Sequence, residues 1–573
     1  MKTYTPPVYP YRKPGDFAGA VRHWPVVVAG AGPIGLTAAI DLAQRGIPVL
    51  LVDEDNTVSV GSRAICWSKR TLEILDRLGC GERLVRKGVS WSVGRVYFRD
   101  EQLFQFDLLA EHGHRRPAFI NLQQFHVEQF LVERLAELPA ADVRWRNKVV
   151  GVAPRTDGVE VRIATPDGDY CVQADWLIVA DGARSPIRTL LGLESKGQVF
   201  RDQFLIADVH VHSEFPAERR FWFDPPFHPN QSALLHRQAD HVWRCDFQLG
   251  WEADPDEEKK PERVLPRVRA MLGEEVEFEL EWASVYTFQC RRMRSFRHGR
   301  VLFAGDAAHL VSPFGARGAN SGVQDVDNLV WKLELALAGL ASERLVESYD
   351  AERTVAADEN IRHSTRSTDF ITPKSKTSRS FRDAVLMLAK RHAFARKLVN
   401  SGRLSTPAVL SESPLNTPDS DVFAAGLVPG TPAVDAPVAG AHGSWLLDYL
   451  AGGFTLLIFA GDPSESVLRE LDVLASAAIP CRSVLVGGGR GALPEHIRRV
   501  GDSAGLVAER YDAQADTVYL FRPDQHVCAR WRGFDGRRVR DAIARATCRS
   551  ITEAFPCSTP SPTSPRPTTS TRS

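Results

Sequence analysis

The chain has 573 residues, 43% hydrophobic and 25% charged, the balance of a globular protein with room for roughly three or four domains. Its 71 basic residues meet 71 acidic ones, so the formal charge of +0 gives no electrostatic hold on nucleic acid or an anionic membrane. No apolar run approaches the ~18 residues of a membrane span. The nine cysteines are scattered without a CxxC and the sixteen histidines show no metal spacing, which reads as single buried thiols in a reducing cytoplasm and no metal site.

The start, MKTYTPPVYPYRKPGD, is polar and proline-rich, without a signal-peptide core, and is expected to lie as an arm over the first domain. Val26 to Ala29 then read as a strand, followed by Gly30, Gly32 and Gly35 in the spacing GxGxxG, a helix, and a second strand, Val49 to Val52, ending on Asp53. The three glycines serve different ends. Gly30 permits a tight turn, Gly32 lets the backbone approach a pyrophosphate, and Gly35 lets the helix pack on the strand. The helix N-terminus offers free N–H groups to phosphates, and an acid at Asp53 accepts from ribose hydroxyls. Strand, turn, helix, strand and acid in this order point to dinucleotide binding.

Further along, residues 68–80 carry Leu72, Leu75 and Leu78 at helical spacing with a stop at Gly79, and residues 123–138 form a second amphipathic helix. Val143 to Val152 and Gly158 to Ile163 alternate as paired strands, and DWLIVADGA at 175–183 is a strand entering a turn. Between 197 and 296, segments such as FLIADVHVH, RRFWFD and HVWRCDFQL alternate like antiparallel strands and are dense in aromatics, as suits a packed sheet, a pocket wall, or both. GRVLFAGDAAH at 299–309 returns to a buried strand stopping at Gly305–Asp306. A long helix over 318–338 and a mostly helical stretch to 400 follow. Pro, Ser and Gly mark a linker around 401–440, another α/β pattern fills 441–547, and the tail lacks apolar residues and reads as disordered.

The pair Asp181–Gly182 in VADGARSPIR and the pair Gly305–Asp306 in LFAGDAAHLVSPFGARGANSGVQDVDNLVWKL, together with GxGxxG, make the chain resemble the single-component FAD-dependent aromatic hydroxylases, in the branch of phenol hydroxylase and 3-(3-hydroxyphenyl)propionate hydroxylase. The resemblance covers nearly the whole chain. It implies an α/β architecture: a Rossmann-like FAD-binding domain in two parts (1–196, with substrate-domain segments near 85–115, and 297–404), an inserted mixed β-sheet substrate domain (197–296), a thioredoxin-like domain lacking CxxC (405–547) and a tail (548–573). The similarity assigns FAD contacts to Gly30, Gly32, Gly35, Asp53, Arg63, Gln124, Asp181, Gly182, Gly305 and Asp306. Pro313 is expected beside the isoalloxazine, with Gly318, Ala319 and Asn320 at its pyrimidine end, where a helix N-terminus stabilises negative charge. WKL at 331–333 and SYDAER at 348–353 match family segments and are expected to be structural.

The implied reaction uses NADH or NADPH to reduce FAD, and O2 to form a flavin C4a-hydroperoxide that hydroxylates a small phenolic or related aromatic substrate. The partners are then small molecules alone, with a homodimer contact one role open to the C-terminal domain. A base that removes the phenol proton is expected. The family carries a catalytic Asp shortly before its RTLE helix, but the matching position here is Ile65, so that carboxylate does not carry over. Tyr286, His236 and Arg317 are the catalytic candidates, with Arg291 nearby. For Tyr286 and His236 a satisfied core residue is the competing reading, and for Arg317 a loop brace competes with binding of a substrate carboxylate. Other chemistry on this fold stays open as epoxidation or another oxygenation of a polycyclic substrate, or a non-catalytic flavin-binding sensor. Halogenation is disfavoured because WxWxIP is missing and only FWFDPPF stands near it.

Overall fold

The computed structural model describes residues 4–18, 21–61, 64–211, 216–399, 405–489 and 491–549. Four sheets organise the described residues. The first is built on five adjacent strands, Val301–Phe303, Gly168–Val179, Arg22–Ala29, Val49–Asp53 and Ala141–Trp145, all parallel. Their runs of Val, Leu and Ile are buried on both faces, as a helix-covered parallel sheet requires. The helices Pro33–Gln44, Gln124–Leu135 and Gly318–Leu337 pack together over it.

The expected strand 143–152 divides in the structure. Ala141–Trp145 joins the parallel sheet, Arg146 turns at φ 57°, and Lys148–Pro154 pairs antiparallel with Val159–Thr165. Unbroken alternation hid the turn. The N-terminal arm crosses this sheet: Tyr9 N–H donates to Asn56 O at 2.7 Å and its ring stacks on Trp145.

The second sheet has eight strands in the order His309–Leu310, Phe278–Met293, Ser195–Val211, Val242–Leu249, Ser232–Arg237, Arg219–Phe223, Val93–Phe98 and Glu101–Asp107. One face packs Leu205, Ala207, Val209, Trp243, Cys245 and Phe247 into an apolar layer with Val264 and Val268. The residues that alternate with these along each strand turn toward the first sheet. A small sheet of Cys66–Ser68, Phe119–Asn121 and Val89–Trp91 takes its strands from the chain between the first-sheet strands Val49–Asp53 and Ala141–Trp145.

The last sheet orders Ala439–Gly440, Ile497–Gly501, Cys481–Val486, Phe454–Ile458, Val518–Phe521 and Val527–Trp531, and mixes parallel with antiparallel pairs. Its strand Ile497–Gly501 and helix Leu506–Arg510 carry too few apolar residues to have stood out in the sequence. The expected linker differs as well. Beyond 401–404, which lie outside the described residues, the segment from 405 is not a free tether. Thr417 N–H donates to Cys528 O and Gly430 N–H to Val527 O, both at 2.7 Å, so it straps the sheet edge. Residues 550–573 of the expected tail, like Arg63, lie outside the described residues.

Candidate active site

Parallel pairing in register brings the distant motifs together. Ala29 pairs with both Val52 and Val179, and Val179 with Phe303. The glycine turn, Asp53, Asp181–Gly182 and Gly305–Asp306 therefore all leave the sheet at one carboxyl edge, where open α/β sheets bind ligands. Backbone bonds extend the ladder into the turns: Ala180 N–H donates to Ala29 O at 2.8 Å and Ala304 N–H to Val179 O at 3.0 Å.

Two glycines of the turn are confined by their neighbours and the third is open. Gly30 has φ 104°, and a Cβ there would stand 2.5 Å from Ala180 O. A Cβ on Gly35 would stand 1.8 Å from Gly30 O. A Cβ on Gly32 would meet nothing, and Gly32 lines a cavity of about 450 Å³. Gly30 and Gly35 are needed for folding; Gly32 leaves space for a ligand. Asp53 is turned inward: Oδ1 accepts from Asp55 N–H at 2.8 Å and Oδ2 from Ala31 N–H, and burial pushes its carboxyl up.

The helix Gly318–Leu337 points its N-terminus into the same cavity, with no side chain capping it. Asp306 is exposed between buried Gly305 and Ala307 and lines that cavity. A Cβ on Gly318 would lie 3.9 Å from its Oδ1. Asp325 fixes this corner: it accepts from Gly305 N–H at 3.0 Å, from His309 at 2.7 Å and from Arg353 Nε at 2.7 Å. Arg188 ties two motifs together by donating to Ala307 O at 2.8 Å and Ala183 O at 2.9 Å.

Opposite stands the second sheet, whose alternate residues line the cavity: Phe204 and Ile206, then Arg244 and Asp246, then Leu234 and His236, with Arg219, Tyr286 and Phe288 on the flanking strands. Register sets two rows. Asp208, Arg244 and His236 are cross-strand neighbours, as are Ile206, Asp246 and Leu234. Arg244 makes a two-pronged pair with Asp208, both bonds 2.8 Å. Asp246 has no such partner. His236 Nε2 is 3.9 Å from its Oδ2, while Asp246 Oδ1 and His236 Nδ1 make no hydrogen bond among the described residues. Burial pushes the Asp246 carboxyl up to about 7 and holds His236 well below the usual imidazole range, so the histidine is neutral.

Of the residues singled out in the sequence, Gly32, Gln124, Gly182, Asp306, Pro313, Gly318, Ala319 and Asn320, with Tyr286, His236 and Arg317, share this one cavity. Gly30, Gly35 and Gly305 shape the turns behind it. Asp181 does not line it: the carboxylate accepts from Ile187 N–H at 3.1 Å at the start of Pro186–Leu190. The Asn320 side chain is spent on bracing, accepting from Ser68 N–H and donating to Cys66 O, both at 2.9 Å. Gln124 accepts from Ala64 N–H and donates to Glu128. Arg317 donates to Asn360 Oδ1 at 3.0 Å from a buried position in the wall. Arg291 lies outside the lining. Arg219, Arg244 and Asp246 were missed. The signal was present in HVWRCDFQL, where Trp, Cys, Phe and Leu take one face and Arg and Asp the other.

A fold with one cavity between a dinucleotide-type sheet edge and a half-polar second sheet defines a flavoprotein oxygenase architecture. The residues fit FAD: Gly32 and Gly182 leave open space where a Cβ would meet nothing, and Asp306 stands exposed beside an uncapped helix N-terminus. Residues 23–364 match the family described as FAD binding domain, and the chain belongs to that family. It is 28% identical over 518 residues to a 3-(3-hydroxy-phenyl)propionate/3-hydroxycinnamic acid hydroxylase of Mycolicibacterium smegmatis, covering 87% of this chain and 89% of the relative. To a 6-methylpretetramide 4-monooxygenase of Streptomyces rimosus it is 33% identical over 344 residues, covering 57% and 58%. The fold is shared with the crystal structure of the flavin-dependent monooxygenase PieE in complex with FAD and substrate, at a TM-score of 0.75 and 22% identity over 92% of this chain and 99% of that one. The protein is an FAD-dependent monooxygenase of the aromatic hydroxylase family, for which NAD(P)H is the usual reductant. No described helix is long and apolar enough to cross a membrane.

Proposed function

We propose that the protein hydroxylates a phenolic or related aromatic ring with NAD(P)H and O2. The single observation supporting this most is the shared cavity, with a flavin cradle on one wall and apolar side chains beside a buried polar row on the other. Gly32, Gln124, Gly182, Asp306 and the backbone of Gly318, Ala319 and Asn320 would hold FAD, with Pro313 beside its ring. Activation of O2 is the chemistry FAD supplies when bound. The chain itself contributes the rest. Phe204, Ile206, Leu234, Phe288 and Phe314 exclude water and grip the flat face of a ring. Tyr286, on the strand bordering that apolar wall, orients the substrate.

We read the layout as a two-part FAD-binding domain, a sheet domain inserted over about 197–296 that also recruits 93–107, and a thioredoxin-like C-terminal unit. In that unit Cys481 and Cys528 are buried on separate strands and burial pushes both thiols up, Cys528 to about 12, so it serves as a packed scaffold without dithiol chemistry. The test is NADH and NADPH oxidation by the FAD-loaded protein with a panel of phenols, hydroxyphenylpropanoids and fused-ring phenols, with product analysis. A hydroxylated product from at least one panel member is expected. FAD binding with no phenol-stimulated oxidation would overturn the reading.

A further inference from the structure

The polar row of the second sheet holds charges that the protein leaves without full partners. Arg219 is 6% exposed, lines the cavity, and among the described residues its guanidinium has no hydrogen-bond partner. Its interactions are electrostatic, with Asp246 and with the Cys66 thiol. Asp246 keeps 18% of its side-chain surface, in the cavity wall, and has one carboxylate oxygen without a partner. The other groups facing it are His236, held neutral, and Arg244 and Asp208, engaged with one another; Tyr286 lines the cavity two strands away on the same sheet, and Cys66 lines it from the small sheet. An acid whose side chain keeps surface in the cavity, with a buried cation lining the same cavity, suits a ligand that gives a proton to the first and leaves its negative charge by the second.

We infer that Asp246 is the catalytic base that takes the proton of the substrate's aromatic hydroxyl, and that Arg219 holds the oxyanion so formed. This rests on the hydroxylase reading of the same cavity. The hydroxyl O–H bond breaks, its electron pair stays on oxygen, and a new O–H bond forms on Asp246. The negative charge moves from carboxylate to phenolate, so the cavity's net charge does not change and no co-reactant is needed. The relocation also accounts for the apolar Ile65: the carboxylate reaches the cavity from the sheet instead of from the segment before the helix Lys69–Arg77.

The test compares FAD-loaded wild type with Asp246→Asn, using the panel phenol that the wild type hydroxylates best and a ring-fluorinated analogue that ionises by itself at pH 8. Loss of a positioned base costs roughly 10²- to 10⁴-fold in kcat for the unactivated phenol, whose ordinary pKa is about 10. The fluorinated analogue recovers much of that loss, because it arrives already ionised. Wild-type kcat falls as pH drops below about 7, since the base must be ionised, and Asp246→Asn loses this limb. If Asp246→Asn does not load FAD, Asp246→Glu replaces it and keeps the limb at reduced rate. Arg219→Gln weakens binding of the fluorinated phenolate, read by equilibrium dialysis without turnover. Asp246→Asn with wild-type kcat and an unchanged pH limb overturns the assignment alone. A wild type that oxidises NAD(P)H with no phenol on the panel overturns the hydroxylase reading, and this inference with it.

Discussion

Two clusters of buried charge, built from the same residue types, behave in opposite ways. In the first, Arg522 donates to Glu352 Oε1 and to Asp524 Oδ2, both at 2.5 Å, while Lys332 donates to Glu352 Oε2 at 2.7 Å and Ser413 Oγ to Glu352 Oε1 at 2.5 Å. Arg70 extends it, donating to Asp524 O at 2.8 Å and Asp327 Oδ2 at 3.1 Å. Burial works against both carboxyls, but Arg522, together with Lys332 beside Glu352 and His526 beside Asp524, holds them below their ordinary range. In the second, around Asp246, burial wins and the carboxyl rises. A closed network has no capacity left for a ligand, and it pins the C-terminal unit to the helices 318–337 and 343–371. A network left open on a cavity is where chemistry has room to act.

The largest expected effect breaks the closed cluster. Glu352→Ala leaves Lys332 without its buried carboxylate and Arg522 with Asp524 alone, and destabilises the protein by about 3–5 kcal/mol, as seen in denaturant melts. A loss below about 1 kcal/mol would mean that the cluster is not what holds the C-terminal unit. Next, Asp306→Ala removes a charged acceptor from the flavin cradle and weakens FAD binding by roughly ten- to a hundredfold. Flavin content after gel filtration measures this, and normal occupancy contradicts the role of that carboxylate.

Stability against pH sharpens the contrast further. The folded pKa of Asp246 lies above its unfolded value, so the native state is favoured below the ordinary carboxylate range and loses stability as pH rises toward about 7. Asp246→Asn is therefore more stable than wild type at pH 8, on the order of 1–3 kcal/mol, with the gap narrowing toward pH 5. The Glu352 carboxyl is depressed, so its contribution is present above the ordinary glutamate range and is lost only in strong acid. Parallel pH slopes for Asp246→Asn and Glu352→Gln would erase the distinction. The smallest effect belongs to Arg317→Ala. It raises KM by about tenfold or less for phenols bearing a carboxylate and leaves uncharged phenols unchanged; equal KM for both classes assigns Arg317 to bracing Asn360.

Much of the first sheet was legible in the chain order of its residues. Gly30, Gly32 and Gly35 answer local backbone demands, and such demands can be read from spacing alone. The helices 69–77, 124–135, 318–337 and 536–546 follow their apolar periodicity. The roles of WKL and SYDAER as structural elements were legible too, though not that Lys332 and Glu352 meet Arg522 from a strand far along the chain. Less legible were Asp53, Asp181 and Asn320. Their types suit a ligand, yet neighbouring N–H groups claim much of the capacity of each.

Sequence by itself determined the dinucleotide-type turn and the order of elements, because these depend on conformational limits and hydrophobic spacing within short segments, while the FAD-dependent class came from the resemblance of its three motifs to a known family. Tertiary structure decided which charges face a cavity and which face each other. Asp246 and Glu352 are both acids in apolar surroundings, and nothing local separates them. Strand register sets Asp246 between Ile206 and Leu234 on an open face, whereas helix packing seals Glu352 against Arg522 and Lys332, and electrostatics depends on that long-range placement.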